Sequence, residues 1–114
     1  MKEQIEYAIL TAEISKATFG MTPKDYKMYK GLKNQNLRDH MTDLELIFSM
    51  LGEASTTAIV KTKKPKGFTQ NKTVAKEGGK IAGDARKALE KKTGENVLSD
   101  KNFLPERKVN KKLK

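Results

Sequence analysis

Three glycines inside an otherwise helical segment restrict the folding of this chain more than any other feature. The segment "AKEGGKIAGDARKALEKK", residues 75–92, has the residue spacing of a helix, yet it contains Gly78, Gly79 and Gly83. Each glycine inside a helix costs about 1 kcal/mol relative to alanine. We predict a helix from about residue 71 to 92, closed by Gly94 as its C-terminal cap, and we expect its glycines to serve close contacts.

The two sides of this helix predict different roles for the glycines. Projected at about 100° per residue, one arc holds mostly small side chains, namely Val74, Ala75, Gly78, Ile81, Ala82, Ala85, Ala88 and Leu89. Gly78 lies inside that arc, so we predict that it lets a neighbouring helix approach closely. Gly79 and Gly83 lie on its shoulder, beside a stripe of four lysines, Lys76, Lys80, Lys87 and Lys91. They either admit a bulky anionic partner such as a phosphate chain, or loosen a surface helix without any binding role, or fit a loop folded over the helix.

The first half of the chain has the pattern of three further helices. Residues 2–18 are apolar on two sides, so this helix is either central in the fold or meets a second copy or a missing N-terminal domain. Thr22 and Pro23 predict the start of a short helix that ends near residue 29. Thr42 and Glu45 form a capping box before a longer helix. We expect its core face to comprise Leu44, Ile47, Phe48, Leu51, Ala54, Ala58 and Ile59.

These elements predict an all-α fold, a compact bundle of four or five helices over residues 1–104. Pro65 and Gly67 predict a basic loop at 61–71, anchored by Phe68. Residues 105–114 have the composition of a flexible basic tail. No strand pattern longer than a few residues is present. Glutamates interrupt the apolar pattern of the N-terminus, so we expect neither a signal peptide nor a membrane span, and a cytoplasmic protein.

Charge divides the chain into two halves. Residues 1–60 hold seven Lys or Arg against eight Asp or Glu, whereas residues 61–114 hold seventeen against six. A basic half of this kind predicts an acidic partner, such as nucleic acid or an acidic protein surface. The candidate phosphate-binding residues are Lys61, Lys63, Lys64, Lys66, Lys76, Lys80, Lys87, Lys91, Arg107 and Lys108. Long lysine side chains contact phosphates without distinguishing bases, so we expect non-specific DNA binding.

Catalytic chemistry has few residues to use. The chain has no cysteine and a single histidine, His40, so the sequence predicts no metal site, no cofactor and no enzymatic activity. Gly78, Gly79 and Lys80 suggest a phosphate-binding loop at first sight. Val74 replaces the first glycine of that motif, however, and Ile81 replaces its Ser or Thr, so the motif is absent.

Two segments resemble the C-terminal part of DNA-damage-inducible protein D. They are "YKGLKNQNLRDHMTDLELIFSMLGEASTTAI" (29–59) and "GFTQNKTVAKEGGKIAGDARKALEKKTGENVLSDKNFL" (67–104). These bacterial proteins usually begin with a BRO-type domain, the module shared with phage antirepressors, and we expect this chain to lack it. The resemblance implies a regulatory role in the SOS response to DNA damage, through DNA or a DNA-bound recombinase filament. The alternative is a protein–protein interaction or oligomerisation domain that binds no nucleic acid, including a homodimer through helix 2–18.

Overall fold

The fold is all-α, as the sequence predicts. A computed structural model describes residues 2–100, with side chains from residue 5 onward. Within this range the α-helices are α1 (Lys2–Phe19), α2 (Pro23–Tyr29), α3 (Asp43–Lys63) and α4 (Gly67–Thr93), and a short 3₁₀ turn covers Arg38–His40. None of the helices in this range combines the length and the apolar character that crossing a membrane requires.

Local capping signals are confirmed. Thr22 Oγ1 accepts a hydrogen bond from the Asp25 backbone N–H at 3.2 Å, which starts α2. In the capping box of α3, Thr42 Oγ1 accepts from Glu45 N at 3.1 Å, and Glu45 Oε1 accepts from Thr42 N at 2.7 Å. Gly94 ends α4 in the left-handed conformation, with φ +75°.

The predicted loop at 61–71 is wrong. Helix α3 continues to Lys63 and α4 already begins at Gly67, so only residues 64–66 lie outside a helix. Pro65 alone is sufficient to break the helix because it provides no N–H donor and restricts the residue before it. The flanking residues stay helical because α3 and α4 pack against each other as an antiparallel hairpin.

Helix α4 is the central element, and α1 and α3 both pack on it. The contacts of Ile14 with Gly79 and of Ala17 with Gly83 show that α1 runs parallel to α4. At its N-terminal end α1 is exposed, with Ile5 at 62% and Tyr7 at 74%. At its C-terminal end Thr18 and Phe19 are buried, so the fold covers α1 more completely at that end.

All three glycines of α4 are buried in helix contacts. A Cβ at Gly78 would lie 2.6 Å from Thr56 N and Cα in α3, which confirms its packing role. A Cβ at Gly79 would lie 2.6 Å from Ile14 O, and one at Gly83 would overlap Ala17 O, both in α1. The interpretation that Gly79 and Gly83 border an open contact surface is therefore wrong. Helical projection locates a face, but it does not show which helix covers it.

The predicted core face of α3 is also wrong in part. The buried residues of α3 are Glu45, Phe48 and Gly52. Ile47 is 55% exposed and Leu44 is 44% exposed, although both belong to the apolar pattern. The inward face of α3 instead includes the Glu45 carboxylate, which accepts hydrogen bonds from Tyr26 and Lys30 at the end of α2 and from Ser99 after α4.

Candidate nucleic-acid interface

The lysine stripe predicted on α4 is present on its surface. Lys76, Lys80, Lys87 and Lys91 are all exposed. Since an α-helix rises about 1.5 Å per residue, the stripe extends along roughly 22 Å. It lies about 180° around α4 from Gly78, the residue that contacts α3. The packing of α3 therefore leaves the stripe open.

Helix α1 adds a fifth lysine that the sequence did not predict. A shallow groove between α1 and α4 is lined by Glu13, Lys16, Ala17, Lys76 and Lys80. Lys16 lies in the last turn of α1, and the close approach at Gly79 and Gly83 brings that turn beside the stripe. We call Lys16, Lys76, Lys80, Lys87 and Lys91 the α4 lysine surface. No sequence signal identifies Lys16, because its position depends on the pairing of α1 with α4.

Neighbouring carboxylates neutralise only part of this surface. Lys80 Nζ lies 2.9 Å from Asp84 Oδ2, and both side chains are more than half exposed. Such an exposed pair is worth only about 0.3–0.5 kcal/mol and is easily exchanged for another anion. Lys76, Lys87 and Lys91 form no ion pair with any side chain of residues 5–100. Three positive charges are thus directly available to an anionic ligand.

The other predicted lysines form a separate group at the α3–α4 turn. Lys61, Lys63, Lys64 and Lys66 are exposed there, and Lys63 Nζ contacts Glu77 Oε1 at 3.2 Å. Lys66, at the N-cap of α4, is ten residues from Lys76, which corresponds to about 15 Å of helix. The fold therefore does not merge the turn with the α4 lysine surface. Arg107 and Lys108 lie outside the described residues.

The chemistry of the α4 lysine surface is electrostatic. Lysine ammonium groups on flexible stems contact phosphate oxygens and do not discriminate bases. Among residues 2–100 no three His, Cys, Asp or Glu side chains are grouped closely enough to hold a metal ion. His40, the only histidine, is buried. The arrangement suits attraction and positioning of a polyanion.

A buried polar cluster joins α2, α3 and the segment after α4. The Glu45 carboxylate accepts hydrogen bonds from Tyr26 Oη, from Lys30 Nζ at 2.9 Å and from Ser99 N at 3.0 Å. Lys30 Nζ also donates to Ser99 O at 2.7 Å. Burial first, and then the hydrogen bond to Glu45, raise the pKa of Tyr26 far above its usual value. The side chains of Lys30 and Glu45 are fully buried, so this cluster stabilises the fold and offers no surface to a ligand.

A second buried contact secures α1 against α4. Arg86 Nε donates to Thr18 O at 2.7 Å, and Thr18 Oγ1 donates to Gly79 O at 3.2 Å. Arg86 Nη1 also donates to both carboxylate oxygens of Glu90, at 2.9 and 3.0 Å. Arg86 is thus the one cationic residue of α4 that is buried. It stabilises the helix contact that holds Lys16 beside the stripe.

Comparison of the chain with protein-family models, with curated proteins and with solved structures finds no match.

Proposed function

We propose that this chain is a non-catalytic binding module that holds nucleic acid through its phosphates. The observation that carries the proposal is the α4 lysine surface, which sets five lysines along one side of the molecule. Two of its carboxylate neighbours are already paired with lysines, Asp84 with Lys80 and Glu13 with Lys72. The remaining positive charge faces solvent, where a polyanion would release counterions on binding.

The resemblance to DNA-damage-inducible protein D supplies the biological setting of the proposal. In that setting the module acts on DNA, or on a recombinase filament that coats DNA, as part of the SOS response. Binding through phosphates is independent of sequence, which suits a protein that must act wherever damage occurs.

Fluorescence anisotropy with labelled single- and double-stranded DNA of mixed sequence tests the proposal. We expect the logarithm of affinity to fall linearly with the logarithm of salt concentration, with a slope of about 0.9 per phosphate contact on duplex DNA and about 0.7 on single strands. The pair Lys76→Glu and Lys87→Glu should lower the slope by roughly 1.5–2 and weaken binding to all sequences alike.

A matched control separates the effect of this surface on DNA binding from the effect of net charge. Lys24 and Lys33 are exposed lysines outside the α4 lysine surface, and Lys24→Glu with Lys33→Glu changes the net charge by the same amount. Equal losses in both double variants would contradict a defined interface. Absence of binding to either DNA at the lowest salt would contradict phosphate recognition and favour an acidic protein partner, to be sought with a recombinase filament.

A gain-of-affinity variant adds an independent test. Asp84→Asn removes a carboxylate from the stripe and releases Lys80 from its pair. We expect DNA binding to tighten by a few-fold at low salt, because one more cation meets the phosphates and one repulsive charge is lost. Unchanged or weaker binding would place the DNA elsewhere on the molecule.

A further inference from the structure

Between residues 44 and 60 the outer face of α3 is mainly apolar and carries no charge, with Thr57 as its one exposed polar residue. Its exposed residues include Leu44 at 44%, Ile47 at 55% and Met50 at 55%, followed by the exposed Ala54 and Ala58. In contrast, 33% of the whole chain is charged. A neutral helix face on so charged a protein is a feature that needs an explanation.

The two acidic residues between positions 44 and 60 of α3 do not lie on the outer face. Between residues 44 and 60 the only charged side chains are Glu45 and Glu53. Glu45 is buried. Glu53 lines the cleft between α3 and α1 and pairs there with Arg38. The outer face therefore stays neutral over about four turns.

The geometry points to a second copy of this chain as the occupant of this face, packed with its α3 antiparallel to the first. The exposed Leu44, Ile47, Met50, Ala54 and Ala58 follow one another at spacings of three and four residues, the pattern of helices that pack side by side. The large residues occupy the N-terminal half of the face and the alanines occupy the C-terminal half. A two-fold axis near Leu51 sets large residues of one copy against small residues of the other.

A parallel pair would lack this complementarity. It would set Leu44 and Ile47 against their own counterparts and would leave the alanine end loosely packed. Since a void forfeits attractive contacts, the antiparallel arrangement buries the face more completely. The distribution of large and small side chains along α3 thus favours the antiparallel orientation.

Charge at the ends of α3 favours the same orientation. Asp39 and Asp43 are exposed at its N-terminal end, and Lys61 and Lys64 are exposed at its C-terminal end. Antiparallel pairing brings Lys61 of one copy towards the acidic end of the other, and it also aligns the helix dipoles favourably. Parallel pairing would oppose like charges at both ends.

The net charge of the chain also favours a second copy over an acidic partner. An acidic protein would be attracted to the lysines rather than to a neutral face. Two copies with a net charge of +10 each repel one another over most of their surfaces, and the neutral face of α3 is where they approach with the least repulsion. The stripe lies about 180° around α4 from α3, so the pair would present two open lysine surfaces.

Sedimentation velocity of the full chain over a concentration series tests this pairing. We expect a reversible dimer, and we expect Ile47→Glu to raise its dissociation constant at least tenfold. Ile5→Glu is the matched control, because Ile5 is similarly exposed at 62%, lies on α1 and undergoes the same change in charge. Circular dichroism would establish that both variants keep their helices.

Two outcomes of sedimentation would overturn the pairing. A chain that stays monomeric at the highest concentration would leave the face of α3 to a different protein. A dimer that Ile5→Glu dissociates and Ile47→Glu does not would move the interface to α1.

Cross-linking distinguishes the two orientations, since the chain has no native cysteine. Leu44→Cys and Ala58→Cys are separated by fourteen residues, or about 21 Å of helix. A short bismaleimide should join the two variants when they are mixed, and it should join neither variant to itself. Efficient cross-linking of Leu44→Cys alone would indicate a parallel pair and overturn the antiparallel arrangement.

Discussion

Replacing Gly79 by alanine sets two effects of opposite sign against each other. Alanine favours the helix by about 1 kcal/mol over glycine. Its Cβ, however, would lie 2.6 Å from Ile14 O and 2.7 Å from Ala17 Cβ, which is roughly 1 Å closer than normal contact. Because the first of these atoms is backbone, α1 as a whole must move away from α4.

The movement of α1 determines how much free energy of unfolding Gly79→Ala should lose. Overpacking of this kind costs about 1–3 kcal/mol. It would also lengthen the hydrogen bond from Thr18 Oγ1 to Gly79 O, now 3.2 Å, at about 1 kcal/mol. After the gain in helix propensity is subtracted, we expect Gly79→Ala to lower the free energy of unfolding by about 1–3 kcal/mol.

Urea denaturation followed by circular dichroism measures this change. Ala88→Gly is the control, because Ala88 is exposed on the same helix and should lose only the propensity term, about 1 kcal/mol. If Gly79→Ala instead raises the free energy of unfolding by about 1 kcal/mol, the close packing of α1 on α4 is refuted, and Gly79 borders an open surface.

The buried polar cluster allows two further predictions. Glu45→Gln should lower the free energy of unfolding by about 3–5 kcal/mol in urea denaturation, because it leaves the Lys30 ammonium buried opposite a neutral amide. The control is Glu53→Gln in the exposed pair with Arg38, which should change the free energy of unfolding by less than about 1 kcal/mol. Equal losses in the two variants would contradict a special role for the buried cluster. Burial and the bond to Glu45 raise the pKa of Tyr26, so the folded state keeps a proton that the unfolded state loses above about pH 10. The free energy of unfolding should therefore fall as pH rises through this range, and Tyr26→Phe should make the fall less steep; an unchanged slope would contradict the assignment.

Each of three sides of α4 has a different role in the protein. One side receives α3 at Gly78, a second receives α1 at Gly79 and Gly83, and the third bears the lysine stripe. Glycines allow two helices to approach closely, and that closeness brings Lys16 into the α4 lysine surface. The feature that looked costly in the sequence therefore assembles the proposed binding surface from two helices.

The spacing of residues within single helices was enough to predict several features of the structure. The caps at Thr22, Thr42 and Gly94 depend on residues within one turn of each other, so their hydrogen bonds follow from spacing alone. The lysine stripe is likewise predictable, because residues of one helix keep fixed angles to one another whatever surrounds them. The all-α class follows from these same local patterns.

Packing between helices decided the rest. The sequence predicted Glu45 only as a member of the capping box of α3, yet Tyr26, Lys30 and Ser99 converge on it from distant parts of the chain. A carboxylate is buried only where several donors meet it, and no spacing within α3 reveals them. Gly83 is a similar case. Helical projection predicted that it lies beside the lysines, but it could not predict that α1 packs over it. Periodicity orders the residues of a single helix, whereas burial depends on what the neighbouring helices bring to its surface.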